Sequence, residues 1–186
     1  EIGDDFRFGC DRSGDFAFLQ QAGAVAGFTV EEAATVELNG SRVSSTRVRE
    51  ALQAADFVEA EHLLGRPFAI AGRVVHGQKL GRQLGAPTAN VQLKRHRVPL
   101  NGVFLVSMEL EGVLQPGVAN IGVRPSVKAD GFAHLEVHLL DFAGDLYDRR
   151  VSVVFHHKLR DEQRFASLEA LKSAIAADVV AARAFW

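Results

Sequence analysis

Between residues 68 and 157 the sequence holds six short β-type segments and no amphipathic helix, which constrains the fold more than any other feature. The segments span 68–76, 88–93, 102–110, 114–121, 134–142 and 151–157, with glycine-bearing turns among the connections. Val137 and Leu139, and likewise Val151, Val153 and Phe155, recur at the period of two that a strand buried on one face requires. Short strands without intervening helices predict a closed or sandwiched antiparallel sheet. Residues 167–185 carry the one long helical pattern. Its stripe of Leu168, Leu171, Ile175, Val179 and Ala182 is expected to pack on the sheet as core, with no chemistry of its own.

The most chemically loaded stretch is 72–90, GRVVHGQKLGRQLGAPTAN. Phe68, Ile70, Val74 and Val75 give it a strand-like start. It then breaks into a loop with Gly77, Gly81 and Gly85 at four-residue intervals and Lys79 and Arg82 between them. Glycines let backbone N–H groups approach an anion, and the two cations add charge. A solvated hairpin loop has the same composition, so glycines and cations alone leave both readings open. After Pro87, Thr88 and Asn90 stand two residues apart and share one face of the next strand. Their hydroxyl and amide oxygens are hard donors of the kind Mg²⁺ accepts beside phosphates. The spacing is neither GxxxxGK[ST] nor GxGxxG, and a strand rather than a helix follows.

Residues 1–64 differ in texture. A short helix is expected from Asp15 to Ala24, a strand from Thr35 to Leu38 and a turn at Asn39-Gly40. Ser44, Ser45 and Thr46 supply N-cap chemistry before a helical pattern. With the first-turn N–H groups and Arg49 they could hold an anion, or they could simply cap a helix. A second helix is expected from Asp56 to Leu64, because Asp56 and Glu59 form a capping-box-like start and Gly65 a stop. Gly65-Arg66-Pro67 then marks the boundary between 1–64 and 65–186.

Length and charge narrow the classes. A chain of 186 residues allows one domain of ordinary size, or one and part of another. The net charge of −2 gives no basic field for nucleic acid, and no apolar run approaches the ~20 residues of a membrane helix. A single cysteine, Cys10, fits a reducing cytoplasm. The seven histidines show no metal-ligand spacing, so no zinc site is expected. The first residue is Glu1 rather than Met, from which an upstream segment is expected.

GxxLGRxLGxPTAN, as it stands at residues 77–90, resembles the signature of riboflavin kinases, including the kinase half of bacterial bifunctional riboflavin kinase/FAD synthetases. Residues 118–126, VANIGVRPS, resemble that family's NIGxRPT loop, with Ser126 in place of Thr. LEVHLLDF at 135–142 resembles the segment carrying the catalytic Glu, and KLRDExxF at 158–165 the flavin-side segment. Upstream, VSSTRVR resembles the SSTxxR motif of nucleotidylyltransferases, and GDDFRFG the segment that precedes it in FAD synthetases. No HxGH motif, which the adenylyltransferase half requires, occurs anywhere in the chain.

The resemblance implies a mainly β fold: a six-stranded Greek-key antiparallel barrel with a C-terminal helix, preceded by an incomplete α/β nucleotidylyltransferase segment at 1–64. It implies ATP and riboflavin as substrates, with Mg²⁺ accompanying ATP. On this pattern Gly77, Lys79, Gly81, Arg82, Gly85, Thr88 and Asn90 would hold ATP, with Thr88 and Asn90 as metal ligands. Arg124, Arg160, Glu162 and Phe165 would contact flavin, and Ser45, Thr46 and Arg49 would be the adenylyltransferase phosphate grip. Glu136 alternates with Leu135 and Val137, on the strand face that also carries His134 and His138. Such an acid can be an ordinary surface carboxylate, and the resemblance makes it the general base. The fragment is expected to make FMN and not FAD. A non-catalytic flavin- or nucleotide-binding barrel is the alternative.

Overall fold

The computed structural model describes residues 1–3, 5–77, 86–93, 98–123 and 133–186. The chain falls into two compact units, residues 1–45 and 46–186. In the first, β1 (Ile2–Gly3) pairs parallel with β2 (Glu32–Ala33), and α1 (Phe16–Ala26) lies between them in sequence. Parallel strands need such a crossover, so this is a βαβ unit and the expected α/β character is present. The Asp15 carboxylate accepts a hydrogen bond from Phe18 N at 2.9 Å and so fixes where α1 starts. β3 (Glu37–Leu38) and β4 (Ser41–Arg42) form a hairpin across the Asn39-Gly40 turn.

The second unit is a closed barrel of six antiparallel strands with helices against it. α2 (Ser45–Gln53) and α3 (Phe57–Leu64) precede it. Asp56 caps α3 by accepting from Glu59 N at 2.9 Å, as the capping-box spacing predicts. The strands are β5 (Ala69–Val75), β6 (Ala89–Gln92), β7 (Gly102–Leu110), β8 (Val113–Val123), β9 (Ala133–Leu139) and β10 (Arg150–Arg160). Around the barrel they run β10, β5, β6, β9, β8, β7. The meander β7–β8–β9 is therefore flanked by β6 beside β9 and β10 beside β7, which is Greek-key order. α4 (Leu168–Phe185) closes the chain, capped by Ser167 Oγ, which accepts from Ala170 N at 3.1 Å.

Alternation decides what goes inside. Phe104, Val106, Met108, Ala119, Ile121, Leu135, Val137, Val153 and Phe155 point into the barrel and are almost fully buried. Phe57 of α3 adds its ring to Phe104 and Phe155 at centroid distances of 5.9 and 6.1 Å. The change from helix to strand comes just after Gly65, yet packing groups α2 and α3 with the barrel because Phe57 belongs to its core.

The outer barrel surface is used too. Val103, Leu105 and Val118 on the outside of β7 and β8 form a second apolar cluster with Leu140 and with Val179 and Ala182 of α4. The amphipathic stripe thus docks as expected, with one departure. Leu168 shares the stripe but lies in the first turn and is 59% exposed. Leu171, Ile175 and Val179 also line an open cleft together with Glu136. The helix crosses the sheet over β8, so only part of its apolar face meets sheet and the remainder becomes cleft wall.

Candidate active site

The cleft lies between α4, the 160–165 segment and the outer faces of β6, β8 and β9, and measures about 200 Å³. Register builds its floor. Asn90 on β6 pairs with Glu136 on β9, which pairs in turn with Asn120 on β8. Residues directly opposite one another on antiparallel strands hold their Cβ atoms about 5 Å apart on the same face. A carboxylate therefore stands between two carboxamides, with Thr88 two residues before Asn90 on the same side. The burial of β9 alternates strictly: Ala133, Leu135, Val137 and Leu139 are inside, while His134, Glu136 and His138 are outside and partly buried. The Glu136 side chain thus opens into the cleft rather than into bulk solvent.

A second cleft, of about 300 Å³, shares Thr88 with the first. Its walls are mostly apolar, from Val74, Pro87, Val137, Leu139, Phe142, Leu146 and Tyr147. The Tyr147 ring lies 3.9 Å from that of His76 by centroids, and Gly77 follows His76. Gly77 backs directly onto Asn90, so that a Cβ added there would overlap the Asn90 carboxamide. This close approach is the reason for glycine at that position.

The 160–165 segment forms the other wall. Arg160 Nε and Nη2 donate to the two carboxylate oxygens of Asp178 on α4, at 2.9 and 2.7 Å. The Arg160 guanidinium also sits 5.6 Å from the centre of the Phe165 ring. Glu162 lies 3.9 Å from His134 Nε2 and packs against Gly122, where a Cβ would come within 2.6 Å of its carboxylate. Arg160, Glu162 and Phe165 all line the cleft with Glu136 and Thr88.

The structure thus brings together Glu136, Thr88, Arg160, Glu162 and Phe165, with Gly77 and Asn90 adjoining. Lys79, Gly81, Arg82, Gly85 and Arg124 lie outside the described residues. Ser45, Thr46 and Arg49 are exposed in the first turns of α2 and line neither cleft. The polar cleft residues Asn120, His138, Gln163 and Asp178 carried no site role in the sequence reading. Asp178 had a signal, a carboxylate set into the apolar stripe between Ile175 and Val179. His138 Nδ1 lies 2.9 Å from the carbonyl of Pro87, tying β9 to the residue before Thr88. Among the described residues, no three His, Cys, Asp or Glu side chains converge as a metal cluster. The Thr88 and Asn90 oxygens, by contrast, suit a hard cation that keeps water and takes substrate phosphate as its other ligands.

The class is that of a six-stranded Greek-key barrel with two clefts that meet at Thr88, one of them holding the Glu136 carboxylate. The family model for riboflavin kinase matches residues 64–186, and that for FAD synthetase matches residues 1–47. The chain belongs to the riboflavin kinase family. It is 77% identical over 184 residues to the bifunctional riboflavin kinase/FMN adenylyltransferase of Pseudomonas fluorescens, covering 99% of this chain and 59% of that one. The Escherichia coli (strain K12) protein of the same description is 54% identical, covering 100% of this chain and 59% of the relative. This sequence therefore spans about three-fifths of the length of these relatives. A crystal structure described as a macrolide-efflux protein from Streptococcus pneumoniae superposes with a TM-score of 0.71 at 33% identity. The match covers 98% of this chain and 60% of that one. Among the described residues, no helix is long and apolar enough to cross a membrane.

Proposed function

We propose that residues 65–186 transfer the γ-phosphoryl group of ATP to the 5′-hydroxyl of riboflavin, giving FMN and ADP. The observation that carries this reading is Glu136 opening into the first cleft beside Thr88, the residue that both clefts share. Riboflavin occupies the cleft under α4, with its ring toward Arg160, Glu162 and Phe165 and its ribityl end toward Glu136. ATP occupies the second cleft, its base against Phe142, Leu146 and Tyr147 and its phosphates toward Thr88. The 5′-oxygen attacks the γ-phosphorus as the bond to the β,γ-bridging oxygen breaks, and Glu136 takes the hydroxyl proton. The oxygens of Thr88 and Asn90 would hold Mg²⁺, which when bound neutralises charge on the phosphates. Gly77 lets the backbone close against Asn90 and so fixes the direction of its carboxamide. Lys79, Gly81, Arg82, Gly85 and Arg124 complete the phosphate and flavin contacts in this proposal.

Most of the acceleration then comes from positioning and charge stabilisation, with general-base catalysis contributing about 10²- to 10⁴-fold. Measurement of FMN formation by wild type and Glu136→Gln, with ATP affinity read in parallel, tests the assignment. The substitution lowers kcat by roughly 10²-fold or more and leaves ATP binding intact. Near-normal turnover removes Glu136 as the base.

For residues 1–64 we propose the end of an FMN adenylyltransferase domain, in which Ser45, Thr46 and Arg49 grip ATP phosphates. Support comes from the SSTxxR resemblance, the βαβ unit and the FAD synthetase match to residues 1–47.

A further inference from the structure

Asp178 is 8% exposed, on a helix whose neighbouring stripe positions are Ile175, Val179 and Ala182. A carboxylate in such a place is costly unless it is paired. Its partner, Arg160, sits at the end of β10 with a side chain 22% exposed. The contact is bidentate, Nε to Oδ1 and Nη2 to Oδ2, and Nη1 donates to the Asp161 carbonyl at 3.1 Å. Three of the five guanidinium donors are thus committed to protein oxygens and the plane of the group is fixed. An ion pair at this depth adds little net stability, since well-packed apolar residues of similar volume serve as well or better. Its value lies in where it holds its members, and both line the cleft beside Glu136.

We propose that Asp178 is a positioning residue for the flavin. It locks Arg160 flat above Phe165, so that the flavin wall of the cleft is formed before substrate arrives, and it joins that wall to α4. The proposal rests on the kinase reading above for the identity of the ligand. Asp178 itself touches no reacting atom, and neither it nor Arg160 lines the cleft assigned to ATP. Its loss therefore acts on riboflavin selectively.

Two variants of the full chain test this. Asp178→Asn keeps the shape and removes the charge, leaving Arg160 uncompensated in the cleft wall. Its riboflavin KM rises about tenfold, as expected for losing one charge-assisted contact, while ATP KM and kcat stay within about twofold. The second variant, Arg160→Met with Asp178→Leu, replaces the pair by apolar packing. Its denaturation midpoint equals or exceeds that of the wild type, yet its riboflavin KM remains raised. A paired variant that recovers both stability and riboflavin KM would reduce the pair to scaffold and overturn the proposal. So would an Asp178→Asn enzyme with unchanged riboflavin KM, or one in which ATP KM rises equally. Should wild type bind riboflavin without phosphorylating it, the kinase reading fails alone, and dissociation constants from flavin fluorescence replace KM in the same comparison. Wild type that does not bind riboflavin at all overturns both.

Discussion

Asn90 shows how tightly single positions are specified around Glu136. Its carboxamide is bracketed by Gly77 behind and by Glu136 on the paired strand. Gly77→Ala has no room for its methyl unless Asn90 shifts, and a displacement of about 1 Å at a catalytic group can cost roughly 10²-fold in rate. Gly77→Ala is accordingly predicted to lower kcat strongly with little change in thermal stability; wild-type kcat would mean that the Asn90 direction does not matter. Thr88→Ala removes one hard oxygen from the junction of the clefts. Its FMN formation should need higher Mg²⁺ for half-maximal rate, and an unchanged metal titration would sink the ligand assignment. At this scale the sequence motifs singled out Thr88, Asn90 and Glu136, and strand pairing sets Asn90 beside Glu136. The sequence was opaque where the meaning lay in register: Asn120 faces Glu136 only because β8 and β9 pair at that offset. Asn120 Oδ1 is buried and meets no donor among the described residues.

Single elements followed local rules closely. Asp15, Asp56 and Ser167 each cap the helix that their spacing announces, because the capping bond is made within three residues and needs no tertiary partner. β7 runs from Gly102 to Leu110 as its apolar run implies, whereas β8 and β10 extend further than their hydrophobic cores. Pairing with long neighbours supplies the hydrogen bonds that composition does not. The role of α4 was only half legible, since periodicity says that a stripe is apolar but not whether it meets a sheet or an open cleft.

On β10, His156 offers a test at the same scale. It lies 2.8 Å from the buried Ser107 hydroxyl, with the Trp186 ring edge-on at 4.9 Å. Burial pushes its pKa below the ordinary 6.5, against a smaller opposing pull from Glu61. The unfolded chain therefore binds a proton more readily than the folded one. This contribution to stability is fully present above about pH 6.5 and is lost as pH falls from there through the folded value. His156→Gln should lose less thermal stability than wild type between about pH 7 and about pH 5, and equal losses would contradict the buried-neutral assignment.

Across the whole molecule, the barrel was readable because six strands without helices leave few ways to hide their edges. Strand order was not readable from periodicity, since β6 pairing with β9 rather than β7 depends on contacts distant in sequence. Ser45 and Arg49 line neither cleft. Ser45→Ala and Arg49→Ala should therefore leave FMN formation within about twofold of wild type. A large loss would mean that α2 supports the kinase site directly. The central claim is phosphoryl transfer to riboflavin, and its most direct test is product analysis. The chain is incubated with riboflavin, ATP and Mg²⁺, and the flavins are separated by chromatography. FMN is the predicted product. Riboflavin that stays bound and unphosphorylated would contradict it and leave a flavin-binding barrel without kinase chemistry.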